Sequence, residues 1–290
     1  MTTNTLPYEP MRSVLYVDLG KEEYRVKLEH FLYKTHIPES ISIFEPYVSK
    51  YAFYQALPVP EGGEAFGPIR MQLTEHYWNS CPDNEKFFKH VKALAETFPP
   101  EVMKWQGVIP DTMDFPPQKM DDSQDDAADA FRQNVPAEMG MIPMVFAFLP
   151  VWWEDDFKGA GRTINDGPNY RWQIMLKYPE GAKKAGETWF HDEFIPAFRD
   201  NDLVTRIVSS KVIKEASGCI FDRAVEIWFE GPEEWQQVIA DVSTKIAKPE
   251  WAETDIFPYL KSRYSIQSIF LSDIARQNNL TQYRGYITMR

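Results

Sequence analysis

The sequence has few cysteines and no long apolar run, and these two shortages exclude several classes of protein. Its two cysteines, Cys81 and Cys219, are far apart in the chain, so they form neither a disulfide framework nor a CxxC metal motif. No segment approaches the roughly 18 consecutive apolar residues of a membrane-spanning helix, and the polar stretch 1–10 lacks the apolar centre of a signal peptide. We therefore expect a cytoplasmic protein with no membrane partner.

Positive charge is also in short supply. Lys and Arg total 31 against 43 Asp and Glu, which gives a formal net charge of -12 and a pI near 5.0. Nucleic acids and anionic lipids are bound through clustered basic side chains. The composition thus argues against a nucleic-acid partner.

The motifs of common cofactor sites and hydrolases are missing as well. No GxGxxG follows a strand to hold a dinucleotide, no GxxxxGK[ST] occurs to bind nucleotide phosphates, and neither GxSxG nor HExxH is present. A haem would need an axial ligand, usually His, and His36 and His191 leave that alternative open. We expect a protein that uses no metal and no cofactor.

Aromatic residues, by contrast, are abundant, and their rings fill cores and line ligand pockets. Alternating and helical apolar spacings predict the order β-α-β-β-α-β twice. Pro38 disfavours helical geometry at Ile37, so the first helix should end near His36. The predicted elements of the first half are strands at 14–19, 47–56, 69–78 and 144–153 and helices at 22–36 and 87–98. Those of the second half are strands at 170–178, 205–214, 221–229 and 264–271 and helices at 188–199 and 232–246.

Two local matches indicate an internal repeat, which would fix the architecture. Segment 31–38, FLYKTHIP, aligns with 189–196, WFHDEFIP, and segment 75–78, EHYW, aligns with 226–229, EIWF, at nearly the same offset. We predict one half over 1–160 and a second over 161–290.

The first half would carry a long acidic and Pro-rich insertion at 99–141. Like-charge runs of this kind are usually solvated loops. The alternative is a lid over a pocket, for which Trp105 and Phe115 are the residues available.

The elements His36-Ile37-Pro38 and Glu75-His76-Tyr77-Trp78 resemble those of the EthD-like family of the dimeric α+β barrel superfamily, in a tandem duplicated form. The resemblance implies an α+β protein of two ferredoxin-like β-α-β-β-α-β halves, packed sheet to sheet as an α/β barrel. In the second half Phe194 replaces the histidine, so the resemblance implies that only the first half keeps a working site. A homodimer of such chains is possible.

The first half also holds most of the candidate catalytic side chains. His36, at the end of the first helix, is placed where the macrodipole favours the imidazolium, which suits either a general acid or base or a capping residue. Alternation on the third strand puts Arg70, Gln72, Thr74, His76 and Trp78 on one face. That face either lines a hydrogen-bonding cavity or is solvated, and Arg70 would hold an oxyanion in the first case.

Three further residues are candidates with an alternative structural role. Glu75 lies on the opposite face of the third strand and repeats as Glu226, so it is either catalytic or a structural ion-pair partner. Tyr51 and Tyr54 could orient a phenolic or carbonyl substrate, or pack in the core.

From these residues we expect a cofactor-independent lyase or isomerase of aromatic compound catabolism. It would act by acid/base chemistry on a small aromatic, phenolic molecule, through elimination, dehydration, cyclisation or C–C cleavage with release of formaldehyde. His36 or His76 would be the base. The alternatives are a cofactor-free monooxygenase of the same superfamily and a non-catalytic ligand-binding EthD-like protein.

Overall fold

Among the described residues the structure has two five-stranded antiparallel sheets with helices, which confirms the predicted α+β class. A computed structural model of the chain describes residues 11–19, 22, 25–38, 48–78, 141–150, 155–163, 165–212, 219–272 and 277–278. The predicted helix at 87–98 and the insertion, apart from its last residue, lie outside the described residues.

The elements of the first half follow the predicted order. They are β1 (Met11–Leu19), α1 (Arg25–Phe31) continued by a π-helical turn (Leu32–His36), β2 (Val48–Gln55), a 3-10 turn (Gly63–Phe66), β3 (Gln72–Trp78) and β4 (Met141–Pro150).

A short strand, β5 (Asp155–Lys158), precedes the second half. The elements that follow are β6 (Tyr170–Leu176), α2 (Lys183–Trp189), a π-helical turn (Phe190–Phe194), α3 (Ile195–Arg199), β7 (Arg206–Lys211), β8 (Arg223–Phe229), α4 (Pro232–Lys245), β9 (Ile266–Leu271) and β10 (Gln277–Asn278).

Each sheet contains the strand order of a ferredoxin-like unit. The first sheet runs β10-β2-β3-β1-β4 and the second runs β5-β7-β8-β6-β9. Apart from β10 and β5, the two orders are equivalent, and all pairings between the named strands are antiparallel. The predicted ferredoxin-like arrangement of both sheets is therefore confirmed.

The two outermost strands cross between the halves. β5 follows the last strand of the first half but pairs with β7 in the second sheet, whereas β10 follows the last strand of the second half but pairs with β2 in the first sheet. We call β5 and β10 the exchanged strands. The division predicted at residue 160 stays a prediction, because one strand before it belongs to the second sheet and one strand after it belongs to the first.

The sheets pack face to face through a shared apolar cluster. Val14, Ala52 and Leu73 of the first sheet belong to the same buried cluster as Met175 and Ile269 of the second. The hydroxyl of Tyr16 donates to Gln173 Oε1 across the interface at 3.0 Å. At one edge the sheets are linked by bridges from Ala56 to Leu271 and from Pro68 to Ser268. The packing is that of the predicted α/β barrel.

The aligned segments FLYKTHIP and WFHDEFIP both form a π-helical turn that leads directly into Ile-Pro. In the first half Ile37 and Pro38 remain helical, and in the second half Ile195 and Pro196 open α3. Ile37 is therefore helical, contrary to the geometry expected before Pro38, and the first helix is described as far as Pro38, two residues beyond its predicted end. A π turn shifts the backbone hydrogen bonds by one residue, which allows a helix to continue past a proline that lacks an N–H.

The second half has a dense aromatic core between its sheet and its helices. Trp172 lies fully buried in this core, with Trp235 of α4 and Phe270 of β9 around it. Phe66, from the 3-10 turn of the first half, inserts into the same core, with its ring centroid 4.9 Å from that of Trp172. The first half thus supplies one of the core residues of the second.

One helix begins earlier than its sequence pattern predicts. α2 starts at Lys183 and not near Thr188. Gly186 lies inside it because the ring of Tyr178 packs against this position, where an added Cβ would meet Tyr178 at 2.2 Å.

Within the part of the chain that the structure describes, no helix combines the length and apolar character that a membrane span requires.

Candidate active site

The two faces of β3 have different surroundings. Leu73 belongs to the cluster between the sheets, so Glu75, which alternates with it, faces the same way. On the other face, Gln72 accepts from the hydroxyl of Tyr33 in the π turn at 3.5 Å. His76 shares that helix-facing side of the first sheet, as strand alternation predicts.

His76 is the central group on this helix-facing side. It is 1% exposed, its Nδ1 lies 3.1 Å from Ser13 Oγ on β1, and its ring stacks on Tyr51 with 4.5 Å between centroids. Burial lowers the pKa of His76 to about 3, and the nearby Glu75 offsets this only in part. The imidazole is therefore uncharged at neutral pH. Its tautomer decides whether it donates to Ser13 or accepts from it.

The remaining side chains described on this face are uncharged. Gln72 Nε2 donates to Thr74 Oγ1 at 3.4 Å, and Ile37 of the first helix packs with Tyr51 and Phe53. The face thus combines hydroxyl, amide and imidazole groups with an aromatic wall. We call Ser13, Tyr51, Gln72, Thr74 and His76 the polar face.

Arg70 does not join the polar face, which corrects the predicted placement. β3 begins at Gln72, and the side chain of Arg70 is exposed and pairs with Glu64 at 2.6 Å. The physical reason lies in the backbone, because the N–H of Arg70 donates to the buried Asp18 side chain at 2.8 Å and not to the backbone of a neighbouring strand. Arg70 therefore lies outside β3, and the alternation of side chains along that strand does not extend to it.

For two other predicted site residues the structure describes the backbone alone. His36 is the last residue of the first π turn and Trp78 is the last residue of β3; their side chains lie outside the described residues, as do Trp105 and Phe115.

Glu75 and Tyr54 lie between the sheets, in a buried ionic network. Lys50 Nζ donates to Glu75 Oε2 at 2.8 Å and to Tyr54 Oη at 3.0 Å. Arg12 Nη1 donates to Glu75 Oε1 at 2.9 Å and lies 3.6 Å from Glu226 Oε2. The first sheet therefore separates Glu75 and Tyr54 from the polar face, and the backbone of β3 lies between Glu75 and His76.

Glu226 holds the equivalent position in the second sheet. Arg171 Nε donates to it at 2.7 Å and Trp228 Nε1 at 2.8 Å. Burial alone would raise the pKa of Glu75, but Lys50 and Arg12 lower it to about 2. Both carboxylates have a lowered pKa, so we describe the ionic network as Arg12, Lys50, Glu75, Arg171 and Glu226, with every member charged.

At the described positions of the second half that correspond to the polar face, the side chains are mostly apolar. The strand register places Trp172 opposite Ile227 where the first half has Ser13 opposite His76, and Val225, Ile227 and Phe229 are all buried in the aromatic core. Arg223 is the polar exception, since its guanidinium is bound by Glu187 at 2.7 Å.

His191 also lies in the second half. It is exposed, with Nε2 3.2 Å from Arg223 Nη2. In the described part of the chain, no three His, Cys, Asp or Glu side chains are grouped so that they could hold a metal ion.

Sequence reasoning missed Ser13. The residue precedes the predicted strand at 14–19 and, on its face of β1, alternates with Leu15 and Val17. A polar residue at an otherwise apolar inward position is a signal of a site or a hydrogen-bonded core. Only the pairing of β1 with β3, however, shows that Ser13 lies directly opposite His76.

These features define a class of protein: a tandem ferredoxin-like α+β chain with a buried polar face in its first half and a filled aromatic core in its second. In a comparison with protein families, residues 8–111 match the chalcone isomerase N-terminal domain. The match covers just over a third of the chain. A comparison with curated proteins gave no match.

Solved structures similar to the chain include proteins with enzyme names. One is a mutant chlorite dismutase from Candidatus Nitrospira defluvii in complex with cyanide, with 6% identity, a TM-score of 0.43, and coverage of 92% of this chain and 91% of that chain. Another is a putative monooxygenase from Fusobacterium nucleatum, with 8% identity, a TM-score of 0.40, and coverage of 94% and 95%. A third is an anthrone oxidase-like protein, with 9% identity, a TM-score of 0.43, and coverage of 94% and 93%. These values are too low to carry a reaction over, and membership of the EthD-like family in particular stays a prediction.

Proposed function

We propose that the chain is a cofactor-independent isomerase or lyase that acts by acid/base chemistry on a small phenolic molecule bound at the polar face of the first half. The observation that carries the proposal is the buried, uncharged His76 hydrogen-bonded to Ser13. Perturbed titrating groups among buried polar side chains are candidates for catalytic acids and bases.

A neutral imidazole can move a proton without becoming a stable cation. It accepts a proton at one ring nitrogen and releases the proton held at the other, and Ser13 is placed to receive or supply that proton at Nδ1. Tyr51 and Phe53 form an aromatic wall beside these groups. The arrangement suits a reaction in which one proton leaves an oxygen and another is added at carbon.

The family match suggests a first test compound. Chalcones are enones with an aromatic ring at each end, and cyclisation of 2′-hydroxychalcone removes the phenol proton, forms a C–O bond at the β-carbon and adds a proton at the α-carbon. Electrons and atoms balance without an oxidant, so the reaction should run equally well without oxygen. This last property separates the proposal from a cofactor-free monooxygenase.

The test is the rate of 2′-hydroxychalcone loss, followed by its absorbance, for wild type and three variants. We expect His76→Gln, His36→Ala or both to lower kcat/KM by about 10²-fold or more, the range for removing a general acid or base. His191→Ala is the matched control, and its kcat/KM should stay near that of wild type. Circular dichroism verifies that each variant is folded.

Two results decide the assignment. Loss of activity in His191→Ala, with wild-type rates in both first-half variants, would place the site in the wrong half. If wild type leaves the chalcone unchanged, the same variants are assayed for release of formaldehyde from hydroxymethylphenols, and inactivity on both compound classes would refute the proposed acid/base function.

A further inference from the structure

Arg171, on β6, has a guanidinium that the chain bonds on one edge only. Its Nε donates to Glu226 at 2.7 Å, whereas among the described residues no group accepts a hydrogen bond from Nη1 or Nη2. Arg171 is nevertheless only 4% exposed. Unpartnered donors on a buried side chain need an explanation, and a bound ion or water is a common one.

The neighbours of Arg171 fix its guanidinium between the sheets. Its Cζ lies 5.0 Å from the ring centroid of Tyr54, in the first sheet, and 5.5 Å from that of Trp228, in the second. Nε of Arg206 is enclosed without a partner, but both Nη nitrogens of Arg171 keep accessible surface, and its side chain is 5% accessible. The two Nη groups therefore form a fixed fork of donors beside a space that admits a particle the size of water.

The charges around this fork do not balance. Three cations of the ionic network share two carboxylates. Burial raises the pKa of the Tyr16 and Tyr77 hydroxyls, which keeps both uncharged, and Arg206 has its own carboxylate, Asp156, at 3.4 Å. The ionic network thus carries one uncompensated positive charge, which is costly at a buried position.

We propose that the ionic network binds one small monovalent anion, chloride under ordinary conditions, at the Nη1–Nη2 fork of Arg171. One such anion makes the negative charges equal in number to the positive ones, and the planar fork offers it two N–H donors. The burial of Arg171 favours a halide, because a phosphate or an organic acid would have to displace Tyr54 or Trp228. The site lies between the sheets, so it does not depend on the function proposed for the polar face.

Crystals of the wild-type protein soaked in bromide test the site directly, because bromide replaces chloride and is located by its anomalous scattering. We expect a bromide ion in contact with Nη1 and Nη2 of Arg171. Bromide at surface positions alone, with water at the fork, would mean an adventitious ion only and would overturn the proposal.

Thermal unfolding in chloride and in gluconate, at equal ionic strength, measures the binding in solution. We define the chloride response as the unfolding midpoint in chloride minus that in gluconate, an ion too large for the fork. Filling a site to about nine-tenths favours the folded state about tenfold. For a chain of this length that shift raises the midpoint by about 2 °C, which is the contribution expected from the site.

Two variants separate the site from general effects of salt. Lys50→Met keeps the fork and leaves two cations with two carboxylates, whereas Arg171→Lys keeps the charge and removes the fork. Both should have a chloride response about 2 °C smaller than that of wild type. Lys245→Met, which removes an exposed partner of Asp241, is the matched control and should keep the wild-type response. An undiminished response in either folded variant would overturn the proposal, and if neither variant folds, the bromide experiment on wild type decides it.

Discussion

His76 and Glu75 are adjacent in sequence, and their surroundings give them opposite charge states. Glu75 has two cationic partners between the sheets and stays ionised, with a pKa of about 2. His76, on the other face of the same strand, has hydroxyl and aromatic neighbours and stays neutral, with a pKa of about 3. Strand alternation therefore separates a structural carboxylate from a candidate proton-transfer group, although sequence spacing alone brings them together.

The lowered pKa of His76 predicts a loss of stability in mild acid. The ordinary pKa of histidine is about 6.5, so between pH 6.5 and 3 the unfolded chain binds a proton at this residue and the folded chain does not. Stability falls as the pH falls through that window. The His76 contribution should lower the free energy of unfolding by about 2 kcal/mol between pH 7.5 and pH 5.

Urea denaturation of wild type and variants at the two pH values measures this effect. Between pH 7.5 and pH 5 the free energy of unfolding of His76→Gln should fall less than that of wild type, by the amount that His76 contributes. His30→Gln, at an exposed position on α1, should show the same fall as wild type. An identical pH dependence in wild type and His76→Gln would show that His76 is protonated in the folded protein.

At the scale of single elements, the repeated Ile-Pro marks equivalent places in the two halves, but it did not predict that the residue before each proline is helical. Pro38 and Pro196 both follow a π-helical turn, so the helix continues where a regular α-helix would end. Sequence patterns encode the proline but not the shifted hydrogen bonds before it. The aligned segments nevertheless mark equivalent places in the two halves, as the repeat predicts.

The 3-10 turn at Gly63–Phe66 is a short surface element with a core residue at its end, and this predicts an unusually large mutational effect for a loop. Phe66 is 1% exposed and contacts Trp172, Trp235 and Phe257 of the other half. Phe66→Ala should lower the free energy of unfolding by about 3–5 kcal/mol, as for other buried Phe→Ala changes.

Guanidinium denaturation followed by tryptophan fluorescence reports this change. Glu61→Ala, at an exposed position in the same loop, is the control and should change stability by less than about 0.5 kcal/mol. A small effect of Phe66→Ala would mean that the second half closes its core without this residue.

At the scale of the whole molecule, the ionic network joins the two sheets and contains unequal numbers of charges. Three cations, Arg12, Lys50 and Arg171, share two carboxylates, Glu75 and Glu226. Glu75→Gln leaves three buried cations with one carboxylate, whereas Lys50→Met leaves two of each. Breaking a buried pair costs about 3–5 kcal/mol, so Glu75→Gln should reach that range and Lys50→Met should cost less.

The free energies of unfolding of both variants, measured by chemical denaturation at pH 7.5, establish the order. Glu22→Gln, at an exposed and locally paired carboxylate, is the control and should have a small effect. If Lys50→Met is the more destabilising of the two, the excess of positive charge in the network does not govern its stability.

Much of this architecture could be predicted from the sequence, because it follows from local patterns. Apolar alternation located the four ferredoxin strands of each half, and the repeat of Glu75 as Glu226 indicated that the sheets are equivalent. β5 and β10 could not be predicted, since they are short, polar and defined only by distant partners. For the same reason the polar face was recognised on β3 but its partner Ser13, one strand away, was not.

The exchanged strands have a consequence for how far the two halves can differ. The last described strand of each half completes the sheet of the other, as two identical subunits could do by exchanging strands, but here both halves lie in one chain. In a symmetric pair every substitution appears twice, once in each copy. In the fused chain a serine can be kept at one position and a tryptophan at its counterpart, so one copy is free to specialise while the other supports it.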